Sequence, residues 1–193
     1  VDGESFKTGD VVAERYEILE LLGKGGMGEV YAARDRKLRR RVAIKTILQS
    51  ATSLGSVGTE RLRAEAEMLA QLAHPGIVAV HDVLEESDRV LLVMELIEGT
   101  SLRERLKSGP LPVHEVIDIV AAMGSALAAA HAHGLVHRDV KPDNVMIRRD
   151  GRVALLDFGI AKETRKGAGT VTSPQQAPLT EPGAFLGTPM YLS

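Results

Sequence analysis

The sequence predicts an α+β fold in two lobes, the first mostly antiparallel strand and the second mostly helix. Three observations carry this. Runs of branched apolar residues broken by turn residues fill positions 16–96, apolar spacing switches to the helical period after Ser101, and a turn-linked pair of short strands follows the long helix. With 193 residues and 44% apolar content, the chain can bury a real core, which excludes disorder throughout.

Residues 1–15 read as an N-terminal extension, 16–95 as the first lobe and 96–193 as part of the second. Tyr16 to Leu22 enters a glycine cluster, and Glu29 to Arg34 and Arg41 to Leu48 read as the next two strands. After the small, polar stretch Ser50 to Gly58, Thr59 can cap a helix running to about Leu72, with Glu60 in its first turn. Ile77 to Leu84 and Val90 to Leu96 flank the polar turn Glu85 to Arg89 and complete a five-stranded antiparallel sheet with one helix. Ser101 with Glu104 forms a capping box for a short helix. Pro110 and Pro112 precede a longer helix, Val113 to His133, which Gly134 stops. Asp150-Gly151 between Val145–Ile147 and Arg152–Leu156 signals a type I′ hairpin. Beyond Ala161 the periodicity is lost, which predicts a mobile loop.

Composition narrows the function classes. A net charge of -2 gives no reason to expect a nucleic-acid partner, and the absence of cysteine excludes disulfides, thiolate catalysis and cysteine-ligated zinc. The apolar stretch Val116 to Ala130 is interrupted by Asp118 and reads as too short and too polar to span a bilayer, so no membrane segment is expected here. No positively charged leader with an apolar core opens the chain.

Four motifs then stand in order. Gly23-Lys24-Gly25-Gly26-Met27-Gly28-Glu29-Val30 places glycines where backbone amides can approach phosphate oxygens. Such a turn alone is often just a tight hairpin. Strands on both sides, and no Gly-Lys-Ser/Thr ending, favour a flap over ATP rather than a dinucleotide site or the other common phosphate loop. Lys45 lies in an apolar strand where Val42 and Ile44 take one face and Ala43 and Lys45 the other. Ala43 would then lie against adenine and the ammonium would reach the phosphates. Glu65 falls on the apolar stripe of Leu62, Leu69 and Leu72, so it needs a cation, and Lys45 is the candidate.

His137-Arg138-Asp139-Val140-Lys141-Pro142-Asp143-Asn144 crowds three polar functions into one turn. Asp139 would orient the attacking hydroxyl and take its proton, Lys141 would neutralise the transferring phosphoryl group, and Asn144 with Asp157 of Asp157-Phe158-Gly159 would bind magnesium. His131 and His133, in a last helical turn, read as structural.

From Tyr16 through Ser193 these motifs resemble the bacterial branch of the Hanks-type Ser/Thr protein kinases. Gly25 to Tyr31, His74-Pro75 and Gly187 to Ser193 add to the likeness. The resemblance implies a protein-kinase-like bilobal fold that phosphorylates protein Ser/Thr hydroxyls with ATP and Mg2+. It places Leu22 through Val30 around the nucleotide, makes Met94 the gatekeeper, and gives the adenine edge to the backbone of Glu95 and Ile97. Val30, Ala43 and Met146 would sandwich the ring, while Leu69, Val80, His137 and Phe158 would stack as the regulatory spine. Arg138 beside Asp139 implies control by loop phosphorylation, first at Thr180, then at Thr170, Thr172 or Ser173.

The resemblance further implies protein substrates, a kinase dimer and a cytoplasmic location, with tethering to a membrane through later residues in relatives. Relatives continue from the final serine into Pro-Glu and the helices that floor the larger lobe. The 193 residues are thus expected to be the front part of a kinase. Two other readings are an inactive, pseudokinase-like module and a small-molecule phosphotransferase. The first would show a lost Lys45, Asp139 or Asp157, and the second a His-Gly-Asp catalytic loop.

Overall fold

The structure, a computed structural model, describes residues 5–25, 28–48, 56–86 and 89–158. Gly26, Met27, Thr170, Thr172, Ser173 and Thr180 lie outside the described residues, as do the side chains of Leu62 and Glu65.

Strands β1 (Val11–Val12), β2 (Tyr16–Gly25), β3 (Gly28–Asp35), β4 (Arg40–Leu48), β5 (Val80–Glu86) and β6 (Arg89–Glu95) form one antiparallel sheet in the order β1-β2-β3-β4-β6-β5. The expected five strands are therefore six. Two residues cannot show alternation, so β1 leaves no pattern in the sequence. It forms because Gly9 donates to the Ile18 carbonyl and Ile18 to that of Asp10, folding residues 5–12 back onto β2.

Period-2 alternation decides what each face buries. Tyr16, Ile18, Tyr31, Ala33, Val42, Ile44, Leu91 and Val93 make an outer cluster with Val12, and Phe6 packs on it. Ala43, Ile47, Leu92 and Met94 face the other way, toward helix α1 (Ser56–Gln71) through Ala66 and Leu69. The helix starts at Ser56, ahead of the expected Thr59, because Gly58 costs a helix only about 1 kcal/mol and does not stop it.

The expected strand from Ile77 begins only at Val80. Gly76 and Val78 hydrogen-bond Leu155 instead, stitching this segment to the second lobe. There, β7 (Gly99–Ser101), β8 (Val145–Arg148) and β9 (Val153–Leu155) form a small antiparallel sheet beside helices α2 (Leu102–Lys107) and α3 (Val113–Ala132). The Ser101 hydroxyl accepts from the Glu104 amide, the cap that the sequence implies. The β8–β9 turn is not type I′. Ile147 pairs with Val153 and the Arg148 amide donates to the Arg152 carbonyl at 2.8 Å, which leaves residues 149–151 as a three-residue loop, and of these only Gly151 has positive φ, at 83°.

By length and composition alone the 20-residue α3 could cross a membrane, since the helix is longer than the run Val116 to Ala130. Part of one face packs into the second lobe. Ile119, Ala126 and Ala130 are buried, Glu115 pairs with Arg105 at 2.9 Å, and Ser125 Oγ lies 3.2 Å from His74 Nε2. Val113, Ile117 and Val120 remain exposed.

One ion pair fixes the sheet edge. The fully buried Asp35 receives Arg15 Nη2 at 2.6 Å, Arg15 Nε at 3.0 Å and the amides of Lys37 and Leu38 at 3.0 Å. The hydrogen bond from Arg15, opposed by burial and helped by the two amides, holds its carboxyl at about 2. Because that lies below the value in the unfolded chain, the pair's stabilisation is complete above about pH 4 and disappears as pH falls toward about 2. Asp35→Ala should cost about 3 kcal/mol in chemical denaturation at neutral pH and flatten the stability loss between those two pH values.

Candidate active site

The glycine-rich segment is the tip of the β2–β3 hairpin. Gly23 pairs with Val30, Lys24 with Glu29 and Gly25 with Gly28, so strands flank the tip on both sides. Only glycine fits position 28: φ is +135°, and a Cβ there would sit 1.8 Å from the Thr46 carbonyl oxygen. Thr46 also takes the Glu29 amide on its hydroxyl at 3.1 Å, anchoring the root of the lid to β4.

Lys45 lies opposite Val30 on β3 and Leu92 on β6, so the three share the inner face. Its Nζ is 2.8 Å from Asp157 Oδ1, with only 13% of the lysine side chain exposed. Asp157 has φ +52°, a left-handed backbone that a non-glycine residue adopts at a cost of about 1 kcal/mol or more. Glu65 stands in α1, and its side chain, and so its pairing with Lys45, lies outside the described residues.

The catalytic-loop candidates converge around Asp139, which is 7% exposed. Lys141 Nζ lies 2.9 Å from its Oδ2, and Asn144 Nδ2 donates to its carbonyl at 2.8 Å and its Oδ2 at 3.2 Å. The amide nitrogen being committed, the Asn144 oxygen is the atom this side chain has for a cation. The Asp139 amide donates to His137 Nδ1 at 3.3 Å, so Nε2 carries the proton and donates to the Leu156 carbonyl at 2.8 Å. Burial lowers the pKa of His137, which fits a neutral ring acting as a strut. Leu156 in turn donates to the Asn144 carbonyl at 2.8 Å, tying the segment before Asp157 to the loop. Arg138, exposed, has φ +59°.

The remaining expectations fall around these groups. Ala43 and Met94 are buried in one cluster with Val30 and Ile97 packed on it, Leu22 is half-exposed, and Met146 sits on β8 opposite Ser101. Leu69, Val80 and Phe158 belong to that same cluster, and the Phe158 and His137 rings lie 4.7 Å apart. The Glu95 amide is taken by the Ala79 carbonyl at 2.9 Å, so Glu95 can offer adenine only its carbonyl.

Three contacts escaped the sequence reading. Arg148 forks onto Glu95, with Nη2–Oε2 at 2.9 Å, and joins the hinge to β8. Arg103 Nε reaches Asp143 at 2.6 Å and ties α2 to the catalytic loop. Glu29 points to the outer face, where Tyr31 and Lys24 hold it. Alternation along β3 and β8 puts these side chains on definable faces but does not name partners distant in sequence. A cavity of about 520 Å3 between His74, Asp118, Ile119 and Val153 is lined by none of the nucleotide, catalytic or metal candidates named above.

The family model described as the protein kinase domain matches residues 16–193. The chain belongs to the protein kinase domain family. This kinase domain is 42% identical over 195 residues to the serine/threonine-protein kinase PknA of Mycobacterium tuberculosis, covering 98% of the chain and 43% of that protein. To PknB of Mycolicibacterium smegmatis it is 39% identical over 187 residues, covering 94% and 28%. Among solved structures it is similar to the Mycobacterium tuberculosis PknI kinase domain, with TM-score 0.73 and 34% identity over 82% of this chain and 63% of that one. The kinase domain seen here thus spans less than half the length of these curated relatives, and the fold is the bilobal kinase fold with an antiparallel first lobe and part of a helical second lobe.

Proposed function

We propose that this chain is the nucleotide-binding and catalytic part of a Ser/Thr protein kinase that moves the γ-phosphoryl group of ATP to protein hydroxyls in bacterial signalling. The observation that carries the reading is the Lys45–Asp157 contact at 2.8 Å, set beneath a glycine hairpin. A pseudokinase-like module normally lacks one of Lys45, Asp139 and Asp157, and all three stand here.

In this reading Lys45 pairs with the phosphates, Asp139 accepts the substrate hydroxyl's proton, and Lys141 balances charge on the group in transit. Asn144 and Asp157 fit magnesium rather than zinc. Among the described residues no three His, Cys, Asp or Glu side chains form a cage, and Mg2+ characteristically takes one or two protein oxygens and completes its shell with water and phosphates. When bound, Mg2+ would neutralise phosphate charge. The adenine edge is given to the backbone of Glu95 and Ile97 behind the Met94 gatekeeper, and the ring to Val30, Ala43 and Met146.

Protein hydroxyls are the substrates, and a second copy of the kinase is the first of them in loop autophosphorylation. The reaction belongs in the cytoplasm, where ATP is. Arg138 receives the phosphorylated loop hydroxyl, Thr180 before Thr172 or Thr170, because a guanidinium binds phosphate in two-pronged fashion. In the protein at its full natural length, label from γ-labelled ATP is expected on Ser and Thr of protein and not on small alcohols. Label confined to a small alcohol would overturn the assignment. Thr180→Ala is expected to slow autoactivation, and unchanged autoactivation would remove that residue from the scheme.

A further inference from the structure

Residues 5–12 do not merely precede the kinase fold; they close over the outer face of the sheet and end on one side chain of the lid. The Ser5 amide donates to Glu29 Oε2 at 2.8 Å, and the Tyr31 hydroxyl donates to the same oxygen at 2.7 Å. The Phe6 amide donates back to the Tyr31 hydroxyl at 3.2 Å, its ring meets the Tyr31 ring edge-on at 5.8 Å, and the Arg89 guanidinium lies 5.9 Å from the Phe6 centroid. The other carboxylate oxygen, Oε1, holds Lys24 Nζ at 3.0 Å across the hairpin. One carboxylate, 5% exposed, thereby bridges the N-terminal segment and both strands of the glycine lid.

We propose that Glu29 is a positioning residue for the phosphate-covering lid and that residues 5–12 are the strap that holds it. The inference rests on the nucleotide-binding reading above. The mechanism is mechanical. The lid tip must settle over phosphates, and its position is set at its root, where Thr46 fixes the Glu29 backbone and the strap fixes its side chain. Burial pushes the Glu29 carboxyl up, yet hydrogen bonds from Ser5, Tyr31 and Lys24 hold it at about 2, so the bridge stays charged at any physiological pH. Without the strap, Phe6 leaves Tyr31 and Oε2 loses its Ser5 donor. The lid root then samples positions from which the glycine amides no longer converge on phosphate.

The test is a cycle of variants in the protein at its full natural length: Glu29→Gln, deletion of residues 1–8, and both together, with KM for ATP, kcat and melting temperature measured for each. Glutamine has the same shape but presents an NH2 group to donors, so it breaks one side of the bridge. Each single change is expected to raise KM for ATP about 5- to 10-fold with kcat within about 2-fold, and the double change to add little, because both cut one connection. Asp35→Ala controls for general loosening: it lowers the melting temperature without raising KM. Unchanged KM in Glu29→Gln, or effects of the two changes that multiply, would overturn the proposal. If the deletion does not fold, Glu29→Gln and Tyr31→Phe decide the question by the same KM criterion. Wild-type protein that binds no ATP would refute the nucleotide reading itself, and the strap's role with it; wild-type activity with unmoved variants refutes the strap alone.

Discussion

Lys45→Met is expected to reduce phosphoryl transfer by about 10²- to 10³-fold while the protein stays folded. The ammonium is the charge placed on the inner face of β4, and an aliphatic side chain of similar reach keeps the packing of Val30 and Leu92 around it. What it removes is an electrostatic partner for the phosphates, carried on a side chain only 13% exposed. Its ion-pair partner Asp157 is one-third exposed, so water takes over part of the lost contact and the folding penalty stays at about 1 kcal/mol. Steady-state transfer rates and a melting curve check both halves. A large fall in melting temperature with no loss of rate per folded molecule would make Lys45 a structural residue.

The second large effect is Asp139→Asn, expected to cost about 10²- to 10⁴-fold in turnover with ATP affinity unchanged. The carboxylate is nearly buried among Lys141, Asn144 and the His137-anchored backbone, so an isosteric amide keeps the loop in shape. It can no longer take a proton from a substrate hydroxyl. The two variants thus separate by type: Asp139→Asn spares nucleotide binding, and Lys45→Met does not. If Asp139→Asn weakened ATP binding as much as turnover, Asp139 would belong to the nucleotide site.

Local rules made much of this legible. Alternation across Val42–Lys45 separates a core face from a cleft face, and the sheet follows it. Ser101 with Glu104 marks a helix start that the structure uses. What the sequence hides is set by distant contacts. Strand β1 exists because the Gly9–Ile18 and Ile18–Asp10 hydrogen bonds fold residues 5–12 back onto β2, where Phe6 meets Tyr31 and Arg89, and no local spacing encodes that meeting. Asp150-Gly151 serves two turn types, and only the Ile147–Val153 register selects between them. The helical stripe in α1 singles out Glu65, whose side chain lies outside the described residues, while the acid described beside Lys45 is Asp157, brought there by a left-handed turn after β9 that no local spacing encodes. Ile77 reads as strand from its branched side chain, yet hydrogen bonds to Leu155 draw this segment to the other lobe.

The central claim is that Lys45, Asn144 and Asp157 hold one magnesium–nucleotide complex between the lobes. Calorimetric titration of a non-hydrolysable ATP analogue tests it most directly, run with magnesium, with EDTA, and with Asp157→Asn. Saturable one-to-one binding is expected with magnesium, weakened about 10-fold or more both by EDTA and by Asp157→Asn. Equal affinity in all three titrations, or no binding with magnesium present, would contradict it.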